Sequence, residues 1–340
     1  MAFNASSAVN GNATNYEIMD NPCLHLGKGQ FYLGSVISTL GIIGNAAFMF
    51  VVLRVPSMRT VTNAYLVNLA VADLLHLSTH LFMWVCILYD PEKCRLDMLY
   101  CYLLLPSRVS QYVSMFTVTM LSVERYLAMC KPLVYRNGVI HKKRFVQMVI
   151  VAIWALSTIL VIGTFISCTD DTIMETVQIV DGVLFLICVG LLMATVLTIY
   201  VVIIKQVRQS SNSVKSHEKQ IIRVCLVTAL VYFVCTIPSV FGSIFLLMSI
   251  LSSQQICRVK LTVNMSTIFL EVNSAVNPLI YNALSSNYRK AFGRAFGFIS
   301  ARHNQRSGTL TGSTRLNDGN DTRRRKRHNS AYTSCTATTV

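Results

Sequence analysis

The 340 residues carry 53% hydrophobic side chains, only 13% charged ones, a mean hydropathy of +0.51 and a formal net charge of +15. Soluble domains run near 25% charged, so the composition excludes an ordinary pair of soluble domains. The high apolar content excludes disorder over most of the length.

A bilayer crossing needs about 20 consecutive, largely apolar residues. Seven stretches meet that requirement: residues 31–53, 62–88, 98–129, 145–167, 179–204, 220–248 and 261–283. The third and sixth exceed the bilayer thickness and are expected to tilt or protrude. Residues 1–30 are polar and hold no signal-peptide core, so the first span is expected to act as its own insertion signal. The predicted fold class is an all-α membrane protein, a seven-transmembrane helix bundle. Its parts are a glycosylated N-terminus over 1–30, the bundle over 31–286, an amphipathic helix over 287–299 and a disordered tail over 300–340.

Loop charges set the orientation, because short cytoplasmic loops collect Lys and Arg. Residues 54–61, 131–144, 205–223 and the tail from 288 sum to +20, while the alternate side sums to −4. The N-terminus is therefore expected outside and the C-terminus inside, in the plasma membrane. The basic charge is a topology signal, which argues against nucleic acid as a partner. Asn4 and Asn12 begin glycosylation sequons in the outer head, and a third sequon at Asn264 lies too close to the membrane.

Several charged and polar residues interrupt the spans, and they carry the identification. Gly44-Asn45 lies in the first span, Asn68-Leu69-Ala70-Val71-Ala72-Asp73 in the second, and Glu124-Arg125-Tyr126 closes the third. Trp154 lies in the fourth, Tyr200 ends the fifth, Cys235-Thr236-Ile237-Pro238 lies in the sixth and Asn277-Pro278-Leu279-Ile280-Tyr281 in the seventh. In this order the set resembles the rhodopsin-like (class A) G-protein-coupled receptors. The resemblance implies a receptor working through heterotrimeric G protein, with arrestin and receptor kinases as further partners. Local strings such as Met58-Arg59-Thr60-Val61-Thr62-Asn63 and Asn273-Ser274-Ala275-Val276-Asn277-Pro278 look like the thyrotropin-releasing-hormone receptor group and neighbouring neuropeptide receptors.

Each motif also has a physical reading. Arg125 sits where it can snorkel out of the bilayer, and Glu124 offers it a partner; breaking that pair frees the guanidinium. By resemblance the switch comprises Glu124, Arg125, Tyr126, Tyr200, Asn277, Pro278 and Tyr281. Asp73, in mid-span, costs about 3 kcal/mol on the insertion scale and needs polar company. The family pattern gathers Asn45, Ser114, Asn273, Ser274 and Asn277 around it, all present here, and hard oxygen ligands suit a sodium ion. No other cofactor and no other metal is expected. Pro238 and Pro278 remove helix hydrogen bonds and are expected to kink their spans.

Three positions depart from the family. Thr236 stands where an aromatic toggle is usual, Leu192 where the fifth span usually has proline, and Cys101 lies one residue nearer Arg125 than usual. By resemblance Cys101 pairs with Cys168. Cys86, Cys130, Cys188, Cys225 and Cys235 read as packing residues.

The outer ends of the spans offer His80, Trp84, Ser107, Arg108, Tyr112, Ser239, Thr267 and Glu271 as ligand-binding candidates. His76 and His80, spaced i and i+4, read as polar lining, since the glutamate of a zinc-protease motif is replaced by Leu77. No nucleophile motif or phosphate loop is present, so the chain is not expected to be an enzyme. The acidic anchor of amine receptors is Ser107 here, which disfavours an amine. Arg108 and Glu271 pair with each other or present both signs to a ligand. The acidic second outer loop (Asp170, Asp171, Glu175, Asp181) attracts a basic peptide. A small extracellular neuropeptide is the expected ligand. The alternative is a lipid or other non-peptide small molecule, and a channel or transporter stands further off.

Beyond the seventh span, Tyr288, Phe292, Phe296 and Ile299 recur at helical intervals between Lys and Arg, as in a helix lying on a membrane surface. Arg325 and Arg327 precede Ser330 as basophilic kinases prefer. Thr338-Thr339-Val340 has the form of a PDZ-domain ligand.

Overall fold

The computed structural model describes residues 22–89, 97–140, 142–167, 174–209, 216–252 and 256–297. Every regular element among them is helical. The helices are α1 (Pro22–Arg54), α2 (Val61–Tyr89), α3 (Asp97–Cys130), α4 (Pro132–Asn137), α5 (Lys143–Leu160), α6 (Ile162–Ser167), α7 (Met174–Gln209), α8 (Ser216–Ser252), α9 (Ile256–Leu284) and α10 (Ser286–Ala295).

Helix boundaries follow local chemistry. Pro56 forces Val55 into extended backbone (φ −105°, ψ 101°), so α1 stops and a short 3-10 turn follows. The Thr60 hydroxyl accepts the Asn63 N–H at 3.2 Å and caps the start of α2. Ser285 breaks the chain between α9 and α10, and Arg289 donates to the last carbonyls of α9, Asn282 at 2.9 Å and Ala283 at 3.0 Å. Gly297, at φ 79°, supplies the left-handed residue after α10. The amphipathic helix is thus shorter than the expected 287–299, and Ile299 lies outside the described residues.

Two spans differ from their expected form. The fourth divides at Val161, whose N–H turns back to Thr158 at 3.2 Å in a tightened turn before α6. The fifth, α7, is 36 residues long, reaching outward to Met174 and inward to Gln209. Acidic residues near its start and Arg208 in its last turn complement the helix dipole. Glu175 and Asp181 therefore belong to α7 rather than to a loop, which corrects the expected acidic outer loop; Asp170 and Asp171 lie outside the described residues.

Polarity is distributed inside out. Leu40, Val151, Leu191 and Leu279 are each at least 64% exposed, while Asn45, Asp73, Ser114, Glu124 and Glu271 are buried. Large apolar faces outside and polar groups inside suit a lipid solvent. Among the described residues, five helices are long and apolar enough to cross a membrane by length and composition. The remaining two long helices, α3 and α9, hold Ser114, Glu124 and Glu271 of these buried residues, while Asn45 and Asp73 lie on α1 and α2.

Close approach is set by small residues and held by a few buried bonds. A Cβ on Gly41 would come within 2.9 Å of the Ala275 backbone, so glycine there lets α1 meet α9. Pro278 leaves the Ser274 carbonyl without its helical donor, and Asn45 Nδ2 of α1 supplies one at 2.9 Å. Asn68 joins three helices: its Nδ2 donates to Thr117 Oγ1 of α3 at 2.7 Å, and its Oδ1 accepts Trp154 Nε1 of α5 at 2.9 Å.

Candidate functional site

The inner end of α3 holds a latched arginine. Arg125 Nε donates to Glu124 Oε2 at 2.5 Å, and Nη2 donates to Glu124 Oε1 and, at 2.6 Å, to Thr62 Oγ1 of α2. Tyr135 of α4 donates its hydroxyl to Glu124 Oε1 at 2.8 Å. Burial, and then the Glu124 carboxylate, hold the Tyr135 phenol well above its usual range. Sequence reasoning located Glu124 and Arg125 but missed Thr62 and Tyr135; nothing local distinguishes a hydroxyl that will face a carboxylate on another helix. Tyr126 is half-buried, while Tyr200, Asn277 and Tyr281 are buried. The Tyr281 hydroxyl is enclosed without a hydrogen-bond partner.

Deeper in the bundle, Asn277 Nδ2 of α9 donates to Asp73 Oδ2 of α2 at 2.8 Å. Asp73 Oδ1, Asn45 Oδ1 and Asn277 Oδ1 are buried and take part in no hydrogen bond. Unsatisfied buried oxygens are costly, and hard oxygen donors are the kind a small cation takes. The residues present fit a sodium ion.

Above them lies a small cavity of about 20 Å³ whose lining includes His76, Gln111, Ser114, Tyr232, Thr236 and Asn273. Among the sodium candidates, Ser114, Asn273 and Ser274 line it. Thr236, which stands where an aromatic toggle is usual, forms part of its wall. None of the eight ligand-binding candidates lines this cavity.

Four of them, His80, Trp84, Ser107 and Glu271, form a network with His76 instead. Ser107 Oγ lies 2.8 Å from His80 Nε2 and 3.1 Å from His76 Nδ1. Glu271 Oε1 accepts Trp84 Nε1 at 2.5 Å and lies 3.7 Å from His80 Nδ1. Glu271 has no exposed surface, Tyr112 and Ser239 are buried, Thr267 is half-buried and Arg108 is exposed. Of the two arrangements left open for Arg108 and Glu271, the mutual ion pair is not formed; Glu271 is engaged by Trp84.

Cys86 is disulfide-bonded, which corrects its reading as a packing residue. Cys130, Cys188, Cys225 and Cys235 form no disulfide. The side chains of Cys101 and Cys168, and with them the expected pairing, lie outside the described residues. So do Asn4, Asn12, Ser330 and the ending Thr338, Thr339 and Val340.

A latched arginine at one end, a buried carboxylate in mid-bundle and a polar cavity above it occupy successive levels of the bundle. Residues 44–281 match the family model for the 7 transmembrane receptor (rhodopsin family). The chain belongs to that family. It is a G-protein-coupled receptor and a multi-pass membrane protein, of a family of signalling receptors and not of enzymes. Somatostatin receptor type 2 of Mus musculus is 26% identical over 317 residues, covering 85% of this receptor and 83% of the relative. Somatostatin receptor type 1 of Rattus norvegicus is 27% identical over 291 residues, covering 77% and 70%. Somatostatin receptor type 5 of Bos taurus is 27% identical over 286 residues, covering 76% and 73%. The expected likeness to the thyrotropin-releasing-hormone receptor group is not confirmed by these relatives.

Proposed function

We propose that the receptor binds an extracellular peptide at the outer ends of its spans, with the N-terminus outside the plasma membrane, and drives nucleotide exchange on heterotrimeric G protein. The observation that carries this reading is the likeness along most of the chain to receptors named for a peptide. The peptide engages the outer network around Ser107, Trp84 and Glu271. A sodium ion at Asp73, Ser114, Asn273, Ser274 and Asn277 stabilises the latched arrangement; the unpartnered Oδ1 atoms of Asp73 and Asn277 support this reading. A peptide library applied to cells carrying the receptor, read by calcium and cyclic AMP, should return peptide agonists whose signal requires G protein. Responses confined to lipids or non-peptide small molecules would reject the peptide assignment.

Arrestin and receptor kinases act on the cytoplasmic side, with Ser330 as a phosphorylation site, and a PDZ domain takes the C-terminus. In that interaction a strand adds to a sheet edge, the carboxylate enters a backbone nest and Val340 fills a pocket. A peptide of the final ten residues should recover PDZ proteins, and the same peptide amidated at Val340 should recover none. Equal recovery by both would remove the assignment.

A further inference from the structure

We propose that Arg108 is a specificity-determining residue that takes a carboxylate of the ligand. The peptide this receptor reads then carries a free C-terminus or an acidic side chain. The inference deepens the proposed function and rests on it.

Helix geometry sets Arg108 at the outer mouth between α3 and α7. Tyr112, one turn inward on α3, packs edge-on against Phe185 of α7, with ring centroids 6.4 Å apart. Further in, Met115 and Val118 of α3 meet Leu192, Met193 and Val196 of α7. Residues three or four apart share a helix face. Arg108 therefore lies on the α3 face that meets α7, and Asp181, one turn outward of Phe185, on the α7 face that meets α3. The two charges stand above the buried Tyr112–Phe185 pair, and both act electrostatically on Tyr112. Arg108 is also within electrostatic reach of His80 of α2, which lies 2.8 Å from Ser107.

The charge balance of this mouth leaves one group free. Among the residues whose side chains are described, three charged ones lie outward of Asp73: Arg108, Asp181 and Glu271. Both carboxylates are engaged. Glu271 is buried and accepts Trp84 Nε1 at 2.5 Å, while Asp181 accepts the Thr164 hydroxyl of α6. Arg108 is exposed and, among the described residues, forms neither an ion pair nor a hydrogen bond. A charge kept within a membrane span marks function, and the guanidinium fork matches a carboxylate with two parallel hydrogen bonds. A cationic ligand group would meet Arg108 as a like charge and find both carboxylates already held. A neutral amide would leave the guanidinium without a counter-charge. A carboxylate satisfies it.

The test uses the full-length receptor in cell membranes with G protein, and reads nucleotide exchange in response to three hexapeptide pools. The first has free C-termini and no Asp or Glu. The second has amidated C-termini and includes Asp and Glu, and the third has amidated C-termini and neither acid. Exchange should follow the first pool, the second or both, and not the third. The first alone identifies a C-terminal carboxylate as the source, the second alone an acidic side chain, and both together show that either serves. At matched surface density, Arg108→Gln should raise the half-maximal concentration of an active pool about thirtyfold, the weight of a charge-assisted hydrogen bond. Arg108→Lys keeps the charge without the fork and should recover most of that loss, which a merely structural role would not produce. An equal response to the third pool, or unchanged potency in Arg108→Gln, would overturn the proposal and leave the peptide reading intact. Silence in all three pools would reject that reading and this proposal with it. The pools are compared on the unmutated receptor, so they decide the matter even where a variant fails to reach the surface.

Discussion

Replacing Arg125 with alanine should abolish ligand-stimulated nucleotide exchange while leaving surface expression near normal. The guanidinium is bound to Glu124 and Thr62 at the inner end of α3 and is only 9% exposed. Removing one partner of a buried pair costs several kcal/mol, roughly 3–5, when the other charge is left alone. Glu124 is not left alone, because the Tyr135 hydroxyl still donates to it; expression should therefore survive. The opposite change serves as a control. Glu124→Gln keeps the arginine but weakens the charge-assisted bonds, each worth about 1.5–3 kcal/mol, so basal exchange should rise. Wild-type stimulated exchange in Arg125→Ala, measured at matched surface density, would dismiss the switch role.

Sodium should lower agonist affinity about tenfold relative to N-methylglucamine, a coupling within the ordinary allosteric range. An ion can shift the equilibrium only by its preference for one arrangement, and here that preference arises where Asp73 of α2 meets Asn277 of α9. Asp73→Asn preserves an acceptor for Asn277 and removes the charge that makes the cation worth holding. The variant should give the same agonist curve in both salts. Identical curves for the unmutated receptor would reduce the cluster to a structural role.

The helical bundle was legible in the sequence because a bilayer demands long apolar runs, and polar exceptions such as Asp73 and Arg125 stand out against them. Helix ends were less so: the division at Val161 and the extension of α7 depend on a tightened turn and on dipole complementarity, neither of which alters hydropathy. The site divides in the same way. Glu124 and Arg125 adjoin in sequence and read together, whereas Thr62 and Tyr135 reach them from other helices. Arg108 and Glu271 were candidates to meet on depth alone, but facing directions decide, and Glu271 turns to Trp84 and His80. The disulfide at Cys86 escaped because its hydrophobic neighbours resemble those of the free thiols. The departure at Thr236 was legible, though not the cavity wall it shares with Gln111 and Tyr232.

The side chain of Asn68 has a mechanical consequence. By tying α3 and α5 to α2 through one amide, it triangulates three helices, and sliding any of them breaks a buried hydrogen bond worth about 1–3 kcal/mol. The opposite wall is jointed differently. Met115 and Val118 of α3 face Leu192, Met193 and Val196 of α7 and Phe233 of α8 in a largely apolar contact. Apolar surfaces of that kind shear without losing a directional bond. Sliding is therefore costlier among α2, α3 and α5, which one amide ties together, than between α3 and its apolar neighbours α7 and α8.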